Sequence, residues 1–365
     1  MVTAAYSHSS LNIERQIPPF DPEALARLSH EWFGVQGDVK ILHSELDLTA
    51  LVQAEKPTKN IVIKIGSVLS GNQHAQMQIA ALRHLADTAP EVAIPRVINT
   101  LNGETCTYVT DESGQEYMMW AMTCIEGELL EYVPCGARQG QLIRYSMGEQ
   151  VAQVSRGLHG FMHPEVTAHH VWEIERVGEL EPFANHIKEP ALRANVRQFI
   201  EFYQQEVAPR VRKVRHQAIH QDSHQGNVFI ANKQATEVCG LIDFGDMVWG
   251  SYPADIAVAA ECFPDDSCII DRMCEVAIGY DRVLPLESNE ADLILDLTLA
   301  RLAITVTQAA ARRVLQPELG EYVDNIEQYE RDFQYLYQQD RKTVINRIRR
   351  ALKFPVHFDD TAMEQ

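Results

Sequence analysis

The spacing of apolar and polar positions changes character near residue 125, and the change divides the chain into two unlike parts. After a polar opening that ends in Pro18-Pro19, Asp21-Pro22 starts a helically spaced stretch to Phe33, with Asp placed to cap it and Pro suited to its first turn. Residues 39–52 (VKILHSELDLTALV) and 60–66 (NIVIKIG) predict strands, the second almost wholly β-branched. Residues 73–86 (QHAQMQIAALRHLA) have apolar positions at helical spacing. A further strand pair is expected at 105–110 and 116–125, ended by Glu126-Gly127. From there the pattern is helical over 139–162, 193–208, 253–263, 268–281, 288–315 and 321–352, and short apolar strands near 227–231 and 238–243 interrupt it. The expected architecture is α+β and two-lobed. It has a loose arm over 1–20, a mostly β lobe over 21–123, a connection at 124–127 and a larger, mostly helical lobe over 128–365.

Charge narrows the function. The 365 residues hold 32 Lys+Arg and 51 Asp+Glu, a net charge of −19, which argues against a nucleic-acid binder that must displace counterions with clustered cations. The stretch 341–353 is basic (Arg341, Lys342, Arg347, Arg349, Arg350, Lys353), but the acidic stretch before it favours a solvated helix face. Seven cysteines without CxxC pairs suggest reduced thiols, and no apolar run reaches the roughly 20 residues of a membrane helix. The opening lacks the basic and apolar regions of a signal peptide, so the expectation is a cytoplasmic protein with no membrane partner.

The chemistry concentrates in IHQDSHQGNVFI, residues 219–230, where His220, Asp222 and Asn227 fit H-x-D-x-x-x-x-N. Asp243 follows in GLIDFGD. Metal-dependent phosphoryl transfer needs this combination: a carboxylate beside the attacking hydroxyl, and an amide oxygen with a second carboxylate to hold Mg²⁺ across nucleotide phosphates. The bland alternative is a polar loop ahead of a buried strand. Lys64, alone in the apolar run NIVIKIG, is costly there unless paired or functional, and suits a phosphate contact. The helix 73–86 contains no Glu to pair with it, which leaves Gln78 as the best-placed polar partner. No glycine-rich phosphate cradle is present; a turn around Ser44–Asp47 is expected to serve, with the Ser44 hydroxyl either touching phosphate or capping the turn.

These motifs resemble the aminoglycoside phosphotransferase/choline kinase-like family, whose members have the two-lobed fold of protein kinases. Within it, PPFDPEA, SELDLTALV, QIAALRHLA, GLHGFMHPEV and RLAITVTQAAARRVLQPE, in that order, are most similar to the hydroxylysine kinase-like branch. The resemblance implies Asp222 as catalytic base, Asn227 and Asp243 as Mg²⁺ ligands, and ATP as co-substrate. It further implies His220 as the structural histidine of the catalytic loop and Asp255 as its brace. Backbone groups of Thr123, Cys124 and Ile125 would meet adenine. The expected acceptor is an amine-bearing alcohol such as 5-hydroxylysine, with Asp246, Glu261, Asp265 and Asp266 as candidate carboxylates for its ammonium and Trp249 or Trp172 as a stacking surface. An aminoglycoside kinase, a homoserine- or choline-type kinase and a silent pseudokinase are the competing readings. Zinc at His216, His220 and His224 is set aside because no Cys or Glu completes a ligand set, and a serine hydrolase because no G-x-S-x-G occurs.

Overall fold

The computed structural model describes residues 17–44, 47–55, 58–67, 71–317 and 326–357. Helix α1 (Pro22–Phe33) opens where expected: the Asp21 carboxylate accepts from Ala24 N at 2.7 Å, and Gly34 closes the helix with φ 68°. Strands β1 (Gly37–Leu42), β2 (Leu48–Ala54) and β3 (Ile61–Ile65) follow, so the predicted strand 39–52 is two antiparallel strands. Then come α2 (Gly71–Thr88), β4 (Val97–Ile98), β5 (Thr107–Thr110) and β6 (Glu116–Thr123). The sheet order is β1-β2-β3-β6-β4, with β5 also on β6.

Strand alternation explains how this sheet serves the site. Ile61, Ile63 and Ile65 join Leu25 and Phe33 of α1 in a small core on one face. On β6 the alternate residues Met118 and Trp120 belong instead to the large core, together with α2. Lys64 therefore points to the α2 face, opposite Thr49 and Trp120 in the ladder.

The rest of the chain is mostly helical. It comprises β7 (Glu128–Leu129), α3 (Ala137–Gly157), α4 (Pro190–Phe202), α5 (Ala208–Val211), β8 (His216–Ile219), β9 (Val228–Ile230), β10 (Val238–Leu241), β11 (Val248–Ser251), α6 (Tyr252–Ala260), α7 (Ile269–Val283), α8 (Ser288–Ala291), α9 (Ile294–Leu315), α10 (Ile326–Gln338) and α11 (Arg341–Ala351). β8 pairs with β11, and β9 lies between β10 and β7. The stretch read as one helix over 321–352 is two in its described part, because Asp340 caps a new helix by accepting from Thr343 N. The stretch 193–208 passes through a π-helical turn at Tyr203–Val207. The strands β4, β7, β8 and β11, each four residues or fewer, leave too short an alternation to be read from sequence. The helical segment Ser288–Leu315 is long and apolar enough by composition to cross a membrane, but 94% of that window is buried in the molecule. Basic residues of α11 are matched by acids: Arg347 pairs with Asp271, Arg349 with Asp292 and Arg341 with Asp296.

Helices α3 and α7 approach closely because glycine faces backbone at the crossing. A Cβ on Gly148 would lie 2.1 Å from Val276 O, and one on Gly279 2.0 Å from Tyr145 O. Gly148→Ala is expected to force these helices apart and to cost about 1–3 kcal/mol in urea unfolding. An unchanged midpoint would show that the crossing can relax.

Candidate active site

The site is built on the loop between β8 and β9. Gln221 adopts φ 57°, a left-handed conformation that a non-glycine residue keeps only when its surroundings demand it. Asp255, fully buried on α6, supplies that demand: its carboxylate accepts from Gln221 N at 2.7 Å and from Ser155 Oγ at 3.0 Å. His220 Nδ1 accepts from Asp222 N at 3.2 Å, and its Nε2 lies 3.1 Å from Ile242 O, which ties the loop to the strand before Asp243. Burial pushes His220 down to about 4, so the ring is neutral at neutral pH and Nε2 carries the proton. Asp255 and His220 thus hold the loop from both sides.

Burial raises the Asp255 pKa to about 6, above the ordinary aspartate range, despite the hydrogen bonds that oppose it. A raised folded-state value means that this group's stabilisation is complete at low pH and is lost as pH rises through about 6. Asp255→Asn does not titrate, so wild type should gain stability relative to this variant, on the order of 1 kcal/mol, between pH 8 and pH 5. Urea midpoints at the two pH values measure this; a constant difference would refute it.

Asp222 and Asn227 meet directly. Asn227 Nδ2 donates to Asp222 Oδ2 at 2.5 Å and to the Asp222 carbonyl at 2.8 Å. With the amino end of the amide committed, Oδ1 is the end that can face a cation. The Asp222 pKa is raised, first by burial and then by the carboxylates of Asp246, Asp243 and Glu261, while Arg301 opposes them.

Asp243 sits at φ 63°, and its Oδ1 accepts from Gly245 N at 3.2 Å. Lys64 Nζ lies 3.5 Å from the same carboxylate and donates to Gln78 Oε1 at 2.9 Å. The expected Lys64–Gln78 pairing is therefore present. Burial pulls the Lys64 pKa down, but Asp243, Asp47 and Asp246 outweigh it, and the ammonium stays charged. Lys64 in turn is the main reason the Asp243 pKa is lowered. Asp47, buried beside this group, accepts from Ser67 N at 3.3 Å. Ser44 is half-buried just after β1; Glu45 and Leu46, which the expected phosphate turn includes, lie outside the described residues.

The 124–127 connection runs beside the β9–β10 hairpin, where Ile125 occupies the space over Gly240 and Gly127 approaches Ile230 O. Thr123 is engaged at both ends, donating from N to Arg96 O and accepting at Oγ1 from Arg96 N, each at 2.9 Å. Its hydroxyl is thus committed to the protein. Among the described residues, the Cys124 and Ile125 N–H groups have no partner.

The proposed substrate carboxylates separate on inspection. Asp246 lies in the site and pairs with His170 at 3.1 Å; its pKa is lowered because His170, His74 and Arg301 outweigh burial. Glu261 is near Asp222, but its carboxylate is taken by Arg301, at 2.9 Å to Nε and 3.1 Å to Nη2. Asp265 is consumed elsewhere, in an ion pair with Arg144 at 2.6 Å and a turn with Ser267. It is not positioned to receive an ammonium, and the structure brings Asp266 into no bond with the cluster. Trp249 is 37% exposed on β11. Trp172 does stack on a cation, but that cation is Arg301, 4.8 Å from the ring centroid.

Sequence reasoning missed Arg301 and His170, and named Asp47 only as the end of the expected phosphate turn. Arg301 had a readable signal, a lone cation in the mostly apolar run TLARLAI, the same anomaly that marked Lys64. A narrow cleft edged by His74, His170, Gly245 and Met247 opens beside the cluster. A roomier one of about 530 Å³, between α1 and the β1–β2 pair, contains none of these residues. No group of three or more His, Cys, Asp or Glu side chains forms a metal cage among the described residues. The oxygen pair of Asn227 and Asp243 fits a hard cation that keeps other ligands from substrate and water.

A sheet-bearing lobe with a buried Lys, joined to a helical lobe with a braced Asp–Asn loop and a following Asp, is the arrangement of a kinase-like phosphotransferase. The chain belongs to the phosphotransferase enzyme family, whose pattern matches residues 47–286. It is similar to hydroxylysine kinases of Mus musculus and Bos taurus, 25% identical to each over 241 residues, or 62% of this chain. The match spans 63% of the length of those relatives. Among solved structures, an amicoumacin kinase in complex with AMP-PNP and Ca²⁺ superposes with a TM-score of 0.65 at 13% identity, covering 89% of this chain and 97% of that one. A microcompartment-associated aminopropanol kinase gives 0.60 at 15% identity, with coverage of 91% and 98%. These two share the fold.

Proposed function

We propose that this protein is an ATP- and Mg²⁺-dependent kinase that transfers a γ-phosphoryl group to the hydroxyl of an amine-bearing small molecule, 5-hydroxylysine or a similar amino alcohol. The carrying observation is the convergence of Lys64 from β3 with Asp243, and of Asn227 with Asp222, through contacts of 3.5 and 2.5 Å. Such a set positions and neutralises charge, which is most of what phosphoryl transfer asks of a protein.

Asp222 orients the acceptor hydroxyl and takes its proton as the new P–O bond forms. Its raised pKa makes it a better proton acceptor than an exposed carboxylate. Asn227 Oδ1 and the Asp243 carboxylate would hold Mg²⁺, which when bound neutralises the phosphate oxygens. Lys64, steadied by Gln78, supplies a fixed positive charge to the nucleotide phosphates. The unpaired N–H groups at Cys124 and Ile125 suit the edge of a purine base. Asp246 is the carboxylate left to receive the ammonium of the acceptor.

An ADP-release assay with 5-hydroxylysine, ethanolamine, choline, homoserine and aminoglycosides tests the reading. Acceptor-dependent ADP release with a hydroxylated amine is expected, and it should vanish when Mg²⁺ is chelated. Release with none of these acceptors would overturn the proposal, and turnover confined to aminoglycosides would move the protein to the antibiotic-kinase reading.

A further inference from the structure

We infer that Arg301 reads a carboxylate on the phosphoryl acceptor, so that the preferred substrate is a hydroxy-amino acid rather than an amino alcohol lacking the acid group. This rests on the kinase reading above and narrows its substrate class.

Arg301 sits on α9, a helix buried over most of its length, and is 4% exposed. Two of its three nitrogens are committed to Glu261, and Trp172 covers one guanidinium face. Glu261 is itself held by Thr305 Oγ1 at 3.4 Å. The planar fork is therefore fixed and does not swing to find other acceptors. The third nitrogen, Nη1, is buried and has no hydrogen-bond partner among the described residues. A buried donor without an acceptor is costly, and native proteins rarely keep one with no purpose. A purely structural arginine already neutralised by Glu261 would turn its remaining donor to a protein oxygen.

Position supplies the rest. Arg301 Nη2 is 3.7 Å from Asp222 Oδ1, so Nη1 lies within a small molecule's length of the proposed base. The surroundings are otherwise acidic, with Asp222, Asp243, Asp246 and Glu261 close enough to influence one another. A simple anion would be repelled there, and a simple cation would leave Nη1 unpaired. A zwitterion satisfies both demands: its ammonium faces Asp246 and its carboxylate accepts from Arg301, the side chain best shaped for that group.

The experiment compares matched acceptors that differ only in the carboxylate: 5-hydroxylysine against 1,5-diaminopentan-2-ol, and homoserine against 3-aminopropan-1-ol. Wild-type kcat/KM should favour the acid-bearing member of at least one pair by about 10- to 100-fold. In Arg301→Met that ratio should fall to near one, while Arg301→Lys, which keeps the charge but loses the fork, should give an intermediate ratio. Circular dichroism and melting checks accompany both variants; if Arg301→Met does not fold, the ratio is read from Arg301→Lys and from Glu261→Gln, which frees the fork without removing it. Equal wild-type rates within every active pair would overturn the inference and leave the kinase reading standing. So would a wild-type preference retained in full by folded Arg301→Met or, where that variant does not fold, by Arg301→Lys. Absence of acceptor-dependent ADP release with every compound would instead overturn both.

Discussion

Asp222→Asn is expected to lower kcat by about 10²- to 10⁴-fold while leaving the fold intact. The amide oxygen can still accept from Asn227 Nδ2, so the contact that shapes the loop survives. What disappears is the proton acceptor. Stability should be held or raised: the Asp222 pKa is raised in the folded protein, chiefly by burial and also by neighbouring acids. Stabilisation from a group raised in this way is complete at low pH and lost as pH rises through its folded value. The charged form is therefore a burden on the fold that the variant removes. A melting curve beside a turnover assay separates the two effects, and near-normal turnover in a folded Asp222→Asn protein would rule out its assignment as the base.

Asp243→Asn should strike binding of the metal-nucleotide complex, with a fall in kcat/KM on the order of 10²- to 10³-fold. Asn tolerates the left-handed backbone at this position and can still accept from Gly245 N, so strain is not the cause. The loss is electrostatic: a hard ligand becomes neutral, and Lys64 loses the nearest carboxylate that keeps it charged. At a hundred times its dissociation constant, Mg-nucleotide stabilises a native protein by about 2.7 kcal/mol, and most of that shift should be missing in the variant. Wild type with EDTA should resemble Asp243→Asn. An equal thermal shift in both proteins would remove Asp243 from the metal site.

Much of this was legible locally. Asp21-Pro22 announced α1 because capping and φ restriction act within one turn. The β3 run exposed Lys64 as an anomaly because a charged side chain in an apolar strand is costly wherever the strand lies. The HQDSHQGN and IDFGD segments each carry their spacing within a few residues, and the helix Asp255 is close behind them. Other features depended on distant partners. Asp265 and Glu261 are both acids just after α6, yet Arg144 takes one and Arg301 the other, from helices far apart in sequence. Trp172 stood out as a cation-stacking surface, and only packing showed that Arg301 already occupies it.

Short-range periodicity and spacing carry the α+β order, the lysine within the apolar β3 run and the Asp–Asn–Asp series, while the bracing role of Asp255 came from resemblance. Tertiary structure alone decided which charges meet. It set Lys64 on the α2 face against Gln78 and Asp243, spent Glu261 and Asp265 on arginines, and brought Arg301 to Asp222. A Coulombic contact depends on separation in space, which the spacing along a chain does not encode once the chain has folded back on itself.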